Sequence, residues 1–403
     1  MPSVRPAPAI SQYTPVKSVQ ITIRQRFWAL LWRPRQIVRH ILDGRVIKYR
    51  FHRRADVVRK VPSAWSTGTT ADDGVLIDRI IEAYRRSAPT AAADVESLWG
   101  SFFHELHGEI HTALIHGPRS RVEEILRNPA TSDLFYGFDS LSRVLLCNPR
   151  VVELEAPALA LDGLLRFAEA VGVCGLDNPE RYNIRRPPHT DVNAVLRELD
   201  SALGVSLPIN NPYPREFGAV TGRGVLSYRV PQAMYQAWRL REMTVGLKSP
   251  RFLEVGAGLG RTALYANVLG LADYTIVDLP ITAVAQGYFL GRTLGLDRVT
   301  LDGEPRRPGA VAIQTPQAFH NDTSHYNVVL NADSLTELDT AVARDYWAAF
   351  QRRADCVLSI NHESNPFTVR DLIVESGPHA RVTRFPSWMR RGYVEEEVDF
   401  ARP

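Results

Sequence analysis

The stretch Phe252-Leu253-Glu254-Val255-Gly256-Ala257-Gly258-Leu259-Gly260 is where residue types and spacing first suggest chemistry. Its apolar start reads as a strand, and its three glycines read as a tight turn that opens a helix. A dinucleotide site would use G-x-G-x-x-G, with a pyrophosphate on the helix N-terminus. Here the spacing is G-x-G-x-G, and Arg261 stands where the dinucleotide pattern would be completed. Glu254, two places before the first glycine, suits a different ligand, S-adenosylmethionine, which carries a cationic amino group and no pyrophosphate. A second apolar run, Tyr274-Thr275-Ile276-Val277, ends in Asp278, 22 residues after Gly256. A carboxylate at that strand tip can accept both ribose hydroxyl protons. The bland alternative is a ligand-free glycine turn with Asp278 as a helix N-cap before Pro280. Taken together, the two strands favour a nucleoside cofactor.

The elements that must position these residues follow from the rhythm of the chain. From about residue 250, short apolar runs alternate with helical stretches: 251–255 then 260–270, 274–277 then 281–294, 299–301 or 311–313, 328–330 then 340–353, and 356–360. That alternation predicts a parallel sheet with helices on both faces. Residues 75–200 read as mainly helical. Leu76, Ile80, Ile81 and Tyr84 share a helical face, as do Leu98, Phe102 and Ile110, and Pro157 suits the first turn of a helix over 158–170. Pro187-Pro188 marks a break.

The charge divides the chain more sharply than its total suggests. The 403 residues carry 48 Lys+Arg and 44 Asp+Glu, a net +4. Residues 1–60 hold fourteen of the bases and two acids, Asp43 and Asp56, so this arm is +12 and the rest −8. The expected organisation is therefore a basic, partly disordered arm (1–60), a helical N-terminal domain acting as lid or oligomer interface (61–205) and a cofactor-binding domain (206–403). Arginine and aromatic residues between 21 and 60 could contact an anionic membrane surface. A solvated helix docking on the acidic remainder explains the arm equally simply, and no nucleic-acid partner is expected. Three scattered cysteines, Cys147, Cys174 and Cys356, exclude a disulfide framework and fit a reducing compartment. No run reaches the ~18 apolar residues of a membrane span, and Phe27–Trp32 is too short for a signal-peptide core. A cytoplasmic protein, peripheral at most, is expected.

The segment Glu254 to Pro280 resembles motif I and the second strand of class I S-adenosylmethionine-dependent methyltransferases. More narrowly, residues 210–375 resemble the sugar O-methyltransferases. The matching stretches are Asn210-Asn211-Pro212, Thr221-Gly222-Arg223-Gly224 with Ser227-Tyr228-Arg229, Tyr235 through Arg239, Leu253 to Gly260, and Val277-Asp278-Leu279-Pro280. They continue in Gly303-Glu304, Asn331-Ala332-Asp333-Ser334 with Glu337, and Ser359-Ile360-Asn361-His362-Glu363. The resemblance implies a Rossmann-like class I methyltransferase domain, with a mostly parallel seven-stranded sheet, and S-adenosylmethionine as cofactor. Glu254, Gly256, Gly258 and Gly260 would line its methionine end and Asp278 its ribose, with Leu279 and Asn331 beside it. Asp333 would face cofactor and acceptor together. Where the family commonly carries an aromatic or Met, this chain has Ser334-Leu335-Thr336-Glu337-Leu338.

A hydroxyl is a poor nucleophile until a base takes its proton or a cation stabilises its alkoxide. His362 follows the fifth strand, at the carboxyl edge where open α/β sheets bind ligands, and a neutral imidazole suits a base. Glu363 or Asp333 could orient it. Asn361-His362-Glu363 could equally be a strand cap. Some sugar O-methyltransferases use Mg²⁺, for which Asp333, Glu337 and Glu363 are the candidate ligands. His104-Glu105-Leu106-His107-Gly108-Glu109-Ile110-His111 looks metal-like, but Gly108 stands where a zinc-protease motif needs its second His. The expected reaction is O-methylation of a small-molecule or saccharide acceptor, with a homo-oligomer conceivable. The rivals are methylation of a peptide, lipid or RNA, with the arm as docking device, and a non-catalytic scaffold, against which the intact Glu254, glycines and Asp278 argue.

Overall fold

The computed structural model describes residues 61–88, 100, 102–139, 149–175, 191–377 and 380–400. The basic arm, Leu98 and Pro187-Pro188 lie outside the described residues. Residues 51–403 form one compact unit, so the helical region and the sheet share a core.

In chain order the elements are β1 (Ser63–Thr67), α1 (Gly74–Ser87), a π turn (Phe103–His107) running into α2 (Gly108–His116), α3 (Arg119–Arg127), α4 (Pro149–Val171) and α5 (Val192–Leu203). Then come β2 (Pro214–Thr221), β3 (Gly224–Leu226), α6 (Arg229–Met243), β4 (Arg251–Val255), α7 (Arg261–Val268), β5 (Asp273–Val277) and α8 (Pro280–Leu294). The chain continues through β6 (Val299–Thr300), β7 (Val311–Gln314), α9 (Pro316–Asn321), β8 (Tyr326–Ala332) and α10 (Thr340–Arg353). It closes with β9 (Ala354–His362), α11 (Val369–Glu375), β10 (Ala380–Pro386) and β11 (Tyr393–Phe400).

Local chemistry accounts for the element ends. Asp191 caps α5 by accepting from the N–H groups of Asn193 (2.9 Å) and Ala194 (3.1 Å), and Gly204 ends the helix in the left-handed region at φ 72°. Thr368 and Asp371 form a capping box on α11. Pro157 does not open a helix. It lies inside α4, which begins eight residues earlier, so packing overrides the preference of proline for a first turn.

The main sheet has eight strands in the order β10-β11-β9-β8-β4-β5-β7-β6. All neighbours run parallel except β11, which is antiparallel to both β9 and β10. The resemblance implies seven strands and the sheet has eight, and the runs 299–301 and 311–313, read as alternatives, do not exclude each other. Both are strands, paired in parallel with Val299 opposite Val311. The chain reverses its lateral direction at β4, between β5 and β8, and that switch point is where such sheets bind ligands.

Residues 61–205 are not wholly helical. β1 pairs antiparallel with β2, Ser63 opposite Ala219, in a three-stranded sheet. Helix α1 presents Leu76, Ile77, Ile80, Ile81 and Tyr84 to the core. It lies so close to α8 that a Cβ at Gly291 would come within 2.6 Å of Leu76, and one at Gly287 within 3.4 Å of Ile80. Asp73, buried at the start of α1, accepts from Arg127 (2.5 Å), Arg292 (3.3 Å) and the Tyr288 hydroxyl (2.6 Å). The helical region is thus fastened to the sheet layer by apolar contact and by a buried charge cluster.

Candidate functional site

Strand β4 delivers Glu254 to the carboxyl edge of the sheet, and the chain then turns through three glycines with positive φ: 74° at Gly256, 56° at Gly258 and 84° at Gly260. Only glycine adopts such a run cheaply. A Cβ on Gly256 would collide with the side chain of Ser334, whose Oγ donates to the Val255 carbonyl (2.7 Å). Gly256 and Gly258 line a cleft of about 1140 Å³, the part open to solvent included. Gly260 does not line it. Its Cα side is covered by Leu290, 3.1 Å from where a Cβ would lie, so this glycine serves helix–sheet packing and not ligand approach.

Glu254 and Asp278 both face this cleft. Glu254 is buried, accepts from the Tyr274 hydroxyl (2.9 Å), and is pushed up to about 7 by loss of hydration. Asp278 is raised to about 6 for the same reason. Its carboxylate accepts from the Leu279 N–H (2.8 Å) and the Gln286 amide (2.7 Å). The same Gln286 nitrogen donates to the Gly258 carbonyl (2.9 Å) and so ties the glycine turn to the second strand. Asp278 is not a helix cap: Leu279 occupies that position on α8. Leu279 itself lines the cleft.

Arg261 turns away from any phosphate role. It is buried and pairs with Asp139 (3.2 Å) and Glu216 (2.6 Å). This fixes the segment Gly137–Asp139 over the glycine turn, with Phe138 3.7 Å from the position of a Gly258 Cβ. Helix α6 closes another wall with Arg229, Gln232 and Gln236.

At the far side Asp333 sits just past β8 with φ 60°, a costly conformation for a residue other than glycine, asparagine or aspartate. Its Oδ2 accepts from Arg390 (2.6 Å) and from the Tyr393 hydroxyl (3.1 Å), and its Oδ1 faces His362 Nε2 at 3.9 Å. The N–H of Ser364 donates to His362 Nδ1 (3.3 Å) and the Ser364 hydroxyl lies 2.7 Å from it. An N–H can only donate, so Nδ1 accepts and the neutral ring carries its proton on Nε2, toward Asp333.

Two expected residues fall elsewhere. Glu363, just past the end of β9, pairs with Arg384 (2.8 Å) and is exposed. Asn331 is fully buried and does not line the cleft. Its amide donates to the Val255 carbonyl (3.1 Å) and Ser334 Oγ (2.6 Å) and accepts from Leu335 N–H (3.3 Å) and Asn361 (2.9 Å). It braces β4, β8 and β9 behind the site.

Asp333, Glu337 and His362 bring ligand atoms within 4.8 Å of one another, but the set does not fit Mg²⁺. Magnesium demands oxygen ligands in near-octahedral geometry. Here Glu363 is elsewhere, His362 presents a protonated nitrogen, and Arg390 already holds Asp333. The histidine-rich segment is also structural: His107 bonds the Asp133 carbonyl (3.1 Å), and His111 the Tyr84 hydroxyl (2.7 Å).

No protein-family model and no curated protein matches the chain in sequence. Similar solved structures include a glycopeptide N-methyltransferase complexed with S-adenosylmethionine, at 16% identity and TM-score 0.33, over 42% of this chain and 94% of that one. They also include a magnesium protoporphyrin IX methyltransferase from Synechocystis with S-adenosylmethionine bound, at 13% identity and TM-score 0.30, over 42% and 81%. A ribosomal protein L11 methylase from Lactobacillus delbrueckii subsp. bulgaricus is similar at 11% identity and TM-score 0.32, over 43% and 80%. The chain has the class I methyltransferase fold. The strand order of its own sheet, with antiparallel β11 between β9 and β10, makes that assignment.

Sequence reasoning missed Gln286, Asp139, Glu216, Arg390 and Tyr393. Only Arg261 carried a local signal, as the residue that broke the dinucleotide pattern.

Proposed function

We propose that the protein transfers a methyl group from S-adenosylmethionine to a hydroxyl of a sugar or glycosylated metabolite. The observation that carries the cofactor half is the convergence of Glu254 and Asp278 on one cleft beside a turn stripped of side chains at Gly256 and Gly258. Two acids suit a ligand with a sulfonium, an ammonium and ribose hydroxyls, and they oppose a pyrophosphate. The sugar half is supported by the stretches that resemble the sugar O-methyltransferases.

In the reaction the acceptor oxygen attacks the methyl carbon in line, the C–S bond breaks as the C–O bond forms, and the hydroxyl proton must go to a base. Asp333 is the base best supplied by the geometry. Arg390 and Tyr393 fix its Oδ2, and the residue lines the cleft. His362, with its proton on Nε2, faces that carboxylate at 3.9 Å, beyond hydrogen-bond distance.

Calorimetry with S-adenosylhomocysteine tests the first step: the full chain should bind it, and Asp278→Ala should abolish binding. No binding by the unaltered protein would overturn the reading. Asp333→Asn should then cut turnover by about 100-fold or more with cofactor affinity retained. Incubation with labelled S-adenosylmethionine and a panel of glycosides, nucleotide sugars, peptides and RNA tests the acceptor. Label confined to peptide or RNA would refute the sugar assignment.

A further inference from the structure

Three arginines line the cleft, and two of them are held in ion pairs. Arg261 is spent on Asp139 and Glu216, and Arg390 on Asp333. Arg229, the first residue of α6, lines the same cleft and makes no ion pair among the described residues. Its guanidinium lies 5.1 Å over the Tyr228 ring, and its buried Nε has no hydrogen-bond partner. A buried guanidinium donor without an acceptor is costly unless a ligand supplies one.

Position decides which ligand group that is. Asp278 marks the ribose end of the cleft, and Glu254 with the glycine turn marks the other arm of the cofactor. Arg229 is one helical turn from Gln232 and two from Gln236, whose Oε1 accepts from Thr262 (2.6 Å) just beyond the glycine turn. The wall formed by α6 therefore flanks the arm that carries an α-amino acid. Such an arm is zwitterionic. Glu254 answers its ammonium, and Arg229 is the arginine of the described cleft left without an ion pair to answer its carboxylate.

We propose that Arg229 receives the carboxylate of the methionine end of the cofactor. This rests on the methyltransferase reading above. Arg229 is a binding residue in this assignment and takes no part in proton transfer.

The test is calorimetry on the full chain with two probes that differ only in that carboxylate: S-adenosylhomocysteine and its decarboxylated analogue, S-adenosyl-3-thiopropylamine. The unaltered protein should prefer the carboxylate-bearing probe by about 10- to 100-fold, as expected for a charge-assisted pair. Arg229→Gln should bind both probes alike, at the affinity of the analogue, and Arg229→Lys should keep part of the preference. A preference that survives in Arg229→Gln overturns the assignment, as does an unaltered protein with no preference. Unchanged S-adenosylhomocysteine binding by Arg229→Gln with a raised KM for acceptor would move the anion to the acceptor and overturn it too. If Arg229→Gln does not fold, the preference of the unaltered protein and its partial retention in Arg229→Lys decide. A chain that binds neither probe defeats the methyltransferase reading itself; binding with a misplaced preference defeats only Arg229.

Discussion

Glu254 and Asp278 illustrate how burial prepares a site for charge. Both acids are raised, to about 7 and about 6, from ordinary values of 4.5 and 3.8, because the cleft withholds water from them. For an acid with a raised native pKa, the stabilising contribution is whole below the ordinary value and lost as pH rises through the native one. The ligand-free protein should therefore lose stability between about pH 4 and 7, as thermal melts would show. Cofactor binding should run the other way. Affinity for S-adenosylhomocysteine should rise from pH 5.5 to 8 as both groups ionise, and Asp278→Asn should remove the lower step. An affinity flat across that range would contradict the assigned roles. Gly256 is constrained twice over, by a φ of 74° and by the Ser334 side chain. Gly256→Ala should cost about 2–4 kcal/mol in urea unfolding, and Ser334→Gly in the same chain should recover part of it.

At the level of elements, the site is held by bonds between segments far apart in sequence. Arg261 opens α7, Asp139 follows α3, and Glu216 lies on β2. Removing the arginine takes a buried ion-pair partner away from both carboxylates. Arg261→Met should therefore cost about 3–5 kcal/mol, and limited proteolysis should cut near Gly137–Asp139. Gln286 belongs to α8 yet holds both the Gly258 carbonyl and Asp278. Gln286→Leu should weaken S-adenosylhomocysteine binding by about 10-fold with the melting temperature nearly unchanged. The glycine turn and Asp278 were readable from sequence because both are local signals: a strand, a spacing and a strand tip. Asn331 misled because a polar residue at the end of a strand looks the same whether it faces a cleft or braces three strands.

For the molecule as a whole, the helical region cannot be separated from the sheet without exposing its core. Leu76 and Ile80 of α1 cover Gly291 and Gly287 of α8, Asp73 gathers Arg127, Arg292 and Tyr288, and β1 completes the small sheet with β2. A fragment of residues 206–403 should lack a cooperative melt and bind a hydrophobic dye, whereas the full chain should melt in one transition over residues 61–400. Among the described residues no helix is long and apolar enough to cross a membrane.

The sequence by itself determined the alternation of strands and helices, the glycine turn and the acid on the second strand, since each depends on neighbours a few residues away. Tertiary structure alone decided that both 299–300 and 311–314 are strands, that Glu363 leaves the site while Arg390 and Tyr393 join Asp333, and that Arg229 lines the cleft with no ion pair among the described residues. These outcomes depend on which distant segments meet, and periodicity within one segment carries no information about its partner.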